Sequence, residues 1–214
     1  MILKYMGHAF FTMTLENGTV LAFDPYGDFY SFPRRSVKAD LCLISHYHHD
    51  HDGMQCLQSG AQVVDQLGIH KMGDVKIIGV PTWHDEVQGA KRGPNNFYVV
   101  EAEGLRIGHA GDLGHVPTAD QLRRIGRLDV LLLPVGGYYT IDASVAVEVC
   151  RLLQPVVAIP MHYRTPYDEE MPTATVRDFL ALTKAEDTQM PLVRIVKEDV
   201  LERPQVITLA IQPE

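Results

Sequence analysis

Cysteine, cationic side chains and long apolar runs are all scarce in this 214-residue chain, and each shortage removes a class of function. The three cysteines, Cys42, Cys56 and Cys150, lie far apart among apolar neighbours, with no Cys-x-x-Cys pair. That excludes a thiolate zinc knuckle and a disulfide framework, and fits small buried thiols in a reducing compartment. No window approaches the ~18 uninterrupted apolar residues of a membrane span. Residues Met1 to Met6 lack the basic segment, long apolar stretch and small-residue cleavage site of a secretion signal. They read as a first strand, and the expected setting is the cytoplasm, without membrane contact. Lys and Arg number 19 against 27 Asp and Glu, for a formal charge of −8. Phosphate-backbone binding draws on clustered cations, so a broad nucleic-acid surface is not expected.

What is present is the composition of an ordinary globular domain, 46% hydrophobic and 21% charged. The length fits one sizeable domain or two tightly fused halves, and the expectation is a single domain over residues 1–214. Histidine is the anomaly: of ten in the chain, four fall between positions 46 and 51.

The first half reads as β-structure. Segments 9–15 and 19–23 flank Glu16-Asn17-Gly18, a strong hairpin signal. Residues 25–36 form a loop. Leu41-Cys42-Leu43-Ile44 is apolar without alternation, the sign of a strand covered on both faces. A helix is expected over 52–59, then strands at 61–65, 75–80, 96–102 and 105–110, with a tight turn at Glu103-Gly104. The second half alternates. Helices are predicted over 118–125 with Thr118 as N-cap, over 142–153, and over 173–184. In the second of these, Val145, Val149, Leu152 and Leu153 form the apolar stripe. Strands are predicted at 129–133 and 156–159, and a terminal strand pair at about 192–196 and 205–211. The pattern implies two sheets face to face with helices outside, an α/β sandwich.

The histidine tract begins immediately after the buried strand. His46 and His48, two apart on a segment leaving a strand, can turn toward one point. Asp50 and His51 can serve a second point nearby. Imidazole and carboxylate are the donors that a divalent metal takes while leaving a position open for water. A surface His-rich tract is the competing explanation, but it does not account for an Asp at this position after a buried strand.

Ser45-His46-Tyr47-His48-His49-Asp50-His51 resembles the His-x-His-x-Asp-His signature of the metallo-β-lactamase superfamily. Pro81-Thr82-Trp83-His84-Asp85, His109-Ala110-Gly111-Asp112 and Ile159-Pro160-Met161-His162 resemble its later motifs, in order. Met6-Gly7-His8, Gly111–His115 and Pro134–Asp142 resemble the small metal-dependent hydrolases related to ascorbate-6-phosphate lactonase. The resemblance implies an αββα sandwich with two mixed sheets face to face and helices on the outside. It implies two divalent metal ions, zinc before manganese, iron or nickel. His46, His48 and His84 go to the first metal, Asp50, His51 and His162 to the second, and Asp112 bridges them. His48 stands where the di-iron oxygen-reducing members carry an acidic residue, which turns the reading away from redox chemistry.

The implied activity is hydrolysis of an ester, lactone, thioester or phosphoester by a hydroxide held between the metals. Two ions and two carboxylates leave a cationic site in an acidic protein, so a small anionic substrate is expected. Asp50 is the candidate catalytic residue, orienting the nucleophile and passing a proton to the leaving group. Candidate substrate contacts are His8, Arg92 and His115. Arg92 either clamps an anionic group or is a solvated loop charge. Asp24 either holds a ligand imidazole from behind or simply forms a turn before Pro25. Gly136-Gly137 either offers N–H groups to an anion or serves the start of a helix. His109 is read as core or as support for the site, and His70 as exposed. A nuclease and a non-catalytic metal-binding protein are the alternatives, and a homo-oligomer is compatible with the sequence.

Overall fold

The computed structural model describes residues 1–33, 36–58, 60–197 and 205–212. In chain order its strands are β1 (Ile2–Gly7), β2 (Phe10–Thr14), β3 (Val20–Phe23), β4 (Leu41–Leu43), β5 (Gln62–Val64), β6 (Gly68–Met72) and β7 (Val75–Trp83). They continue with β8 (Pro94–Ala102), β9 (Leu105–His109), β10 (Val130–Pro134), β11 (Val157–Met161), β12 (Val193–Arg194) and β13 (Gln205–Val206). The helices are α1 (Ala119–Ile125), α2 (Ala143–Leu153) and α3 (Arg177–Thr183). One sheet runs β12-β1-β2-β3-β4-β5 and the other β13-β11-β10-β9-β8-β7-β6.

Both tight turns follow from their glycines. Gly18 (φ 87°) closes β2 onto β3, with Asn17 Oδ1 accepting the Thr19 N–H. Glu103 and Gly104 (φ 52° and 72°) make a turn with positive φ at both central positions, the kind whose twist suits a hairpin. Alternation then sorts side chains between faces. Phe11, Met13, Leu21 and Phe23 enter the main core between the sheets, with Val100, Ile107, Leu131 and Leu133. Phe10 and Ala22 face outward into a second cluster with Tyr26, Phe29, Phe32 and Cys56. The first sheet is thus covered by an aromatic loop and a short 3₁₀ turn, Met54–Cys56, while the α-helices belong to the second half.

Five expectations change. The helix predicted over 52–59 is only that 3₁₀ turn, with Ser59 outside the described residues. A Cβ on Gly53 would lie 2.2 Å from the Tyr26 carbonyl carbon, and the Gly53 N–H donates to Pro25 O, so tertiary contact overrides helix formation. The aromatic loop corresponds to the predicted 25–36 segment, of which residues 34 and 35 are likewise outside. An extra strand, β6, forms at an exposed edge by pairing with β7. The terminal strands do not pair together: β12 joins β1 and β13 joins β11, one on each sheet. In α2 the buried stripe is Ala143, Ala146, Val149 and Leu153, and Leu152 faces solvent. Shorter than predicted, α3 starts at Arg177. The α1 N-terminus carries a complete capping box between Thr118 and Gln121.

Strand direction is what builds the site. β1 and β3 are each antiparallel to β2, and β4 is parallel to β3, so β1, β3 and β4 point the same way. In the other sheet β7 and β9 are both antiparallel to β8, while β10 and β11 run parallel to β9. The loops leaving β1, β3 and β4 therefore share one edge of their sheet, as do those leaving β7, β9, β10 and β11. Gly136, after β10, donates to His162 O, and a Cβ there would lie 2.3 Å from that oxygen. Gly136→Ala is expected to force the β10 and β11 loops apart and to lower stability by about 2–3 kcal/mol. Thermal or urea melts would detect this; an unchanged melting curve would show that the close approach is dispensable.

Candidate metal centre

Every expected ligand leaves the carboxyl end of a strand. His46 to His51 follow β4, His84 follows β7, Asp112 follows β9 and His162 follows β11. His8 follows β1 and Asp24 follows β3. Their donor atoms fall into groups. His46, His48 and His84 each place one ring nitrogen within 4.8 Å of the others. His8, Asp50, His51 and His162 do the same with one donor atom each. Asp112 lies between the two groups: its Oδ2 is 3.1 Å from His84 Nε2 and 3.3 Å from His162 Nε2, and its Oδ1 is 3.2 Å from His51 Nε2.

These separations fit metal ligation. Donors about 2.0–2.1 Å from a tetrahedral ion stand roughly 3.3 Å apart. His46 Nε2 and His48 Nδ1, 3.0 Å apart, approach that spacing as well. His51 Nε2 and Asp112 Oδ1 are buried without a hydrogen-bond partner among the described residues, an arrangement a cation relieves. Burial pushes the Asp112 carboxyl up, but His162, His51 and His84 override it and hold it well below the usual range. Burial likewise lowers His46, to about 3. His51 is the exception: burial favours its neutral form, yet Asp112 and Asp50 hold its pKa well above the usual value.

Support comes from behind. Asp24, 1% exposed, takes His51 Nδ1 at 3.0 Å and accepts from Ser45 N–H at 2.7 Å and Ser45 Oγ at 2.6 Å. Ser45 Oγ in turn lies 2.9 Å from His46 Nδ1. One carboxylate thus orients an imidazole of each group, directly for His51 and through Ser45 for His46. With its other ring nitrogen turned inward, each imidazole presents a lone pair to a metal. Asn95 does the same for the second sheet: its amide donates to Thr82 Oγ1 and Ala110 O, and its Oδ1 accepts the Asp112 N–H at 2.9 Å. Gly111 (φ 54°) permits that contact, since a Cβ there would lie 2.4 Å from Asn95 Oδ1.

The structure changes three readings outside the ligand set. His8 is fully buried, so it has no surface for substrate; its Nε2 lies 3.1 Å from Asp50 Oδ2. His115 is turned away from the cleft: its Nε2 accepts the Trp83 N–H and its Nδ1 meets Val116 O. The Gly136 and Gly137 N–H groups go to His162 O and Ile141 O, leaving no pair for an anion. Arg92 does line the cleft, a 580 Å³ space with Phe29, Tyr30, Asp50, Tyr139 and Met171. Its Nη2 donates to Tyr138 O at 3.0 Å and its guanidinium lies 5.7 Å from the Tyr139 ring centre. His49 is exposed at the cleft mouth, His70 is half-buried, and His109 is buried, stacked on Phe23 with Nε2 on Ala9 O.

Sequence reasoning missed Ser45, Asn95 and Asp85 as supports. Ser45 and Asp85 adjoin ligands inside the motifs, a signal available in retrospect; Asn95 carries none. Asp85 accepts four backbone N–H groups, from Val87, Gly89, Lys91 and Arg92, and so shapes the loop that carries Arg92.

The fold and donor set define a metallo-β-lactamase-fold protein. The family profile described as "Beta-lactamase superfamily domain" matches residues 2–162. A UPF0173 metal-dependent hydrolase of Pelotomaculum thermopropionicum is 32% identical over 218 residues, covering 87% of this chain and 95% of that protein. One from Thermococcus kodakarensis is 33% identical over 194 residues, covering 76% and 84%. A Thermotoga maritima structure, provisionally named a Zn-dependent hydrolase of the metallo-β-lactamase superfamily, matches with a TM-score of 0.83 at 34% identity over 99% of each chain. The chain belongs to the UPF0173 metal-dependent hydrolase family.

Asp85 yields a prediction with a definite sign. Burial raises its carboxyl, but the four N–H donors outweigh this and hold it at about 2, below the ordinary 3.8. Its stabilising effect is therefore complete above pH ~4 and is lost as pH falls toward ~2. Asp85→Ala is expected to lower stability by about 2–3 kcal/mol at neutral pH. Urea melts of both proteins should differ less at pH 3 than at pH 7; a pH-independent difference would contradict the assignment.

Proposed function

We propose that this metal-dependent hydrolase holds two divalent ions, zinc before manganese, iron or nickel, and cleaves an ester, lactone, thioester or phosphoester in a small anionic substrate. One observation carries the reading: Asp112 touches imidazoles of both donor groups, so two ions sharing it would lie close together. His46, His48 and His84 would hold one ion and Asp50, His51 and His162 the other. When bound, such ions lower the pKa of coordinated water toward ~7 and polarise the attacked oxygen.

The chain's own residues supply the rest. Both carboxylates line the cleft, but Asp112 is only 2% exposed, whereas Asp50 is 16% exposed. Asp50 is therefore the carboxylate able to orient the nucleophile and hand a proton to the leaving group. Among the described residues Arg92 is the one Lys or Arg lining the cleft, and only one of its five side-chain N–H donors is engaged by them. The others are available to a carboxylate or phosphate. Phe29, Tyr30, Tyr139 and Met171 give the remaining wall an apolar body. An arginine beside aromatic side chains suits a small anionic molecule. The sequence resemblance to ascorbate-6-phosphate lactonase supports including phosphorylated lactones among the candidates.

Metal analysis of the purified protein, paired with a panel of lactones, thioesters and phosphoesters, tests the proposal. The expected result is two equivalents of metal and turnover that a chelator abolishes, with His48→Ala as the control. Metal without turnover of any substrate would favour a binding role. Asp50→Ala is expected to lower kcat by about 10²–10⁴-fold with a much smaller change in KM; undiminished kcat would remove Asp50 from proton transfer. Arg92→Met is expected to raise KM about tenfold or more for an anionic substrate and to leave a neutral analogue of the same shape unaffected. An equal effect on both would make Arg92 a structural residue.

A further inference from the structure

His8 combines three features that packing alone does not require. It is a non-glycine residue at φ 54°, it is fully buried, and its ring ends on a cleft carboxylate. The strained backbone is tied down twice, because its carbonyl accepts from the Tyr5 hydroxyl at 2.9 Å and from the His162 N–H at 2.8 Å. The ring is wedged between His162, 4.0 Å away centre to centre, and Phe29, 4.7 Å away. His8 therefore touches two members of one donor group, His162 through its carbonyl and ring and Asp50 through Nε2. Strained, over-determined residues of this kind gather at functional sites, and the strain persists only where surrounding contacts enforce it.

We propose that His8 is a positioning residue for Asp50: its Nε2–H donates to Asp50 Oδ2 and fixes the rotation of that carboxylate toward the second metal and the cleft. An ionised carboxylate has no proton to give, so the hydrogen between Nε2 and Oδ2 belongs to the imidazole. Carboxylates that ligate metals are themselves commonly held by a second hydrogen bond, and loss of such a partner lowers metal affinity or activity by about 10–100-fold. Among the described residues no other side-chain donor stands within hydrogen-bond distance of Asp50; His51 Nε2 and His49 Nδ1 are 3.8 and 3.9 Å from its oxygens. With no other hydrogen bond to its side chain among the described residues, an Asp50 without His8 is free to rotate out into the cleft. The inference rests on Asp50 serving the second metal, as proposed above.

Two substitutions separate the hydrogen bond from the fold. His8→Gln keeps an N–H donor at about the reach of Nε2. His8→Asn tolerates the left-handed backbone but is too short to reach Asp50. Metal stoichiometry and affinity would be measured by titrating the metal-stripped proteins with Zn²⁺, alongside kcat and KM on whichever substrate the panel yields. The expected result is a ten- to hundredfold weaker second zinc equivalent in His8→Asn, an unchanged first equivalent, and affinity within about threefold of wild type in His8→Gln. Unchanged second-site affinity in His8→Asn would overturn the proposal. Loss of that equivalent in both variants would also overturn it, by making His8 a ligand. Wild-type protein that takes up two zinc ions but hydrolyses nothing would count against the hydrolytic reading alone, since the affinity comparison still decides the role of His8. If His8→Asn melts well below wild type, the His8→Gln affinity decides: near wild type it supports positioning, and a full loss overturns it.

Discussion

The arrangement depends on one buried charge. Asp112 is 2% exposed, and a carboxylate in that position is tolerable only if cationic or metal-bound partners surround it. Four imidazole rings approach it, suited to carry a proton or a metal: His84, His162, His51 and, at 3.9 Å, His46. Those four come from loops on both sheets, so the condition that stabilises one side chain also sets how the sandwich edges meet. Asn95 and Gly111 fix the Asp112 backbone, and Asp24 fixes the imidazoles from the opposite sheet. The same convergence that gathers imidazoles around Asp112 creates the His and Asp donor groups that could hold metal in this metal-dependent hydrolase.

Rigidity at this edge is achieved with unusual backbone. His8, Asp24 and His162 all have positive φ, 54°, 42° and 49°, although none is glycine. Each is held by bonds to another loop: His8 to His162, Asp24 to Leu43 O through its N–H and to Ser45 and His51 through its side chain, His162 to His8 and Gly136. Side chains that could be arranged only by strained turns are thereby kept from relaxing outward. A preorganised donor set loses little conformational entropy when a metal binds, which favours affinity and a fixed geometry during turnover.

Much of the scaffold was legible because local signals and tertiary demands agreed. Asn17-Gly18 and Glu103-Gly104 specify their own turns, Thr118 caps its helix, and Leu41-Cys42-Leu43 announces a strand covered on both faces. The failures came where contacts distant in sequence decided the outcome. Helix 52–59 is stopped by the close approach of Gly53 to Tyr26, which no local pattern encodes. β6 is an exposed edge whose residues lack alternation, so only its partner β7 defines it. The two terminal strands carry ordinary strand residues, and nothing in those residues says that they join different sheets. Leu152 shares the period of the α2 core positions, yet the buried face is set by where the helix meets its neighbours.

The same division runs through the site. By itself the sequence determined which residue types are present and in what order: His and Asp tracts at strand ends, each with ligand chemistry written into the side chain. It also bounded the charge and limited the cysteine chemistry. Only the tertiary structure decided that His8 is sealed against Asp50, that His115 faces Trp83 and Val116, and that Arg92 is braced by Tyr138 and Tyr139 beside the cleft. Side-chain chemistry is a local property, legible one residue at a time. Which way an imidazole turns is settled by groups tens of residues away, brought near by the direction of the strands.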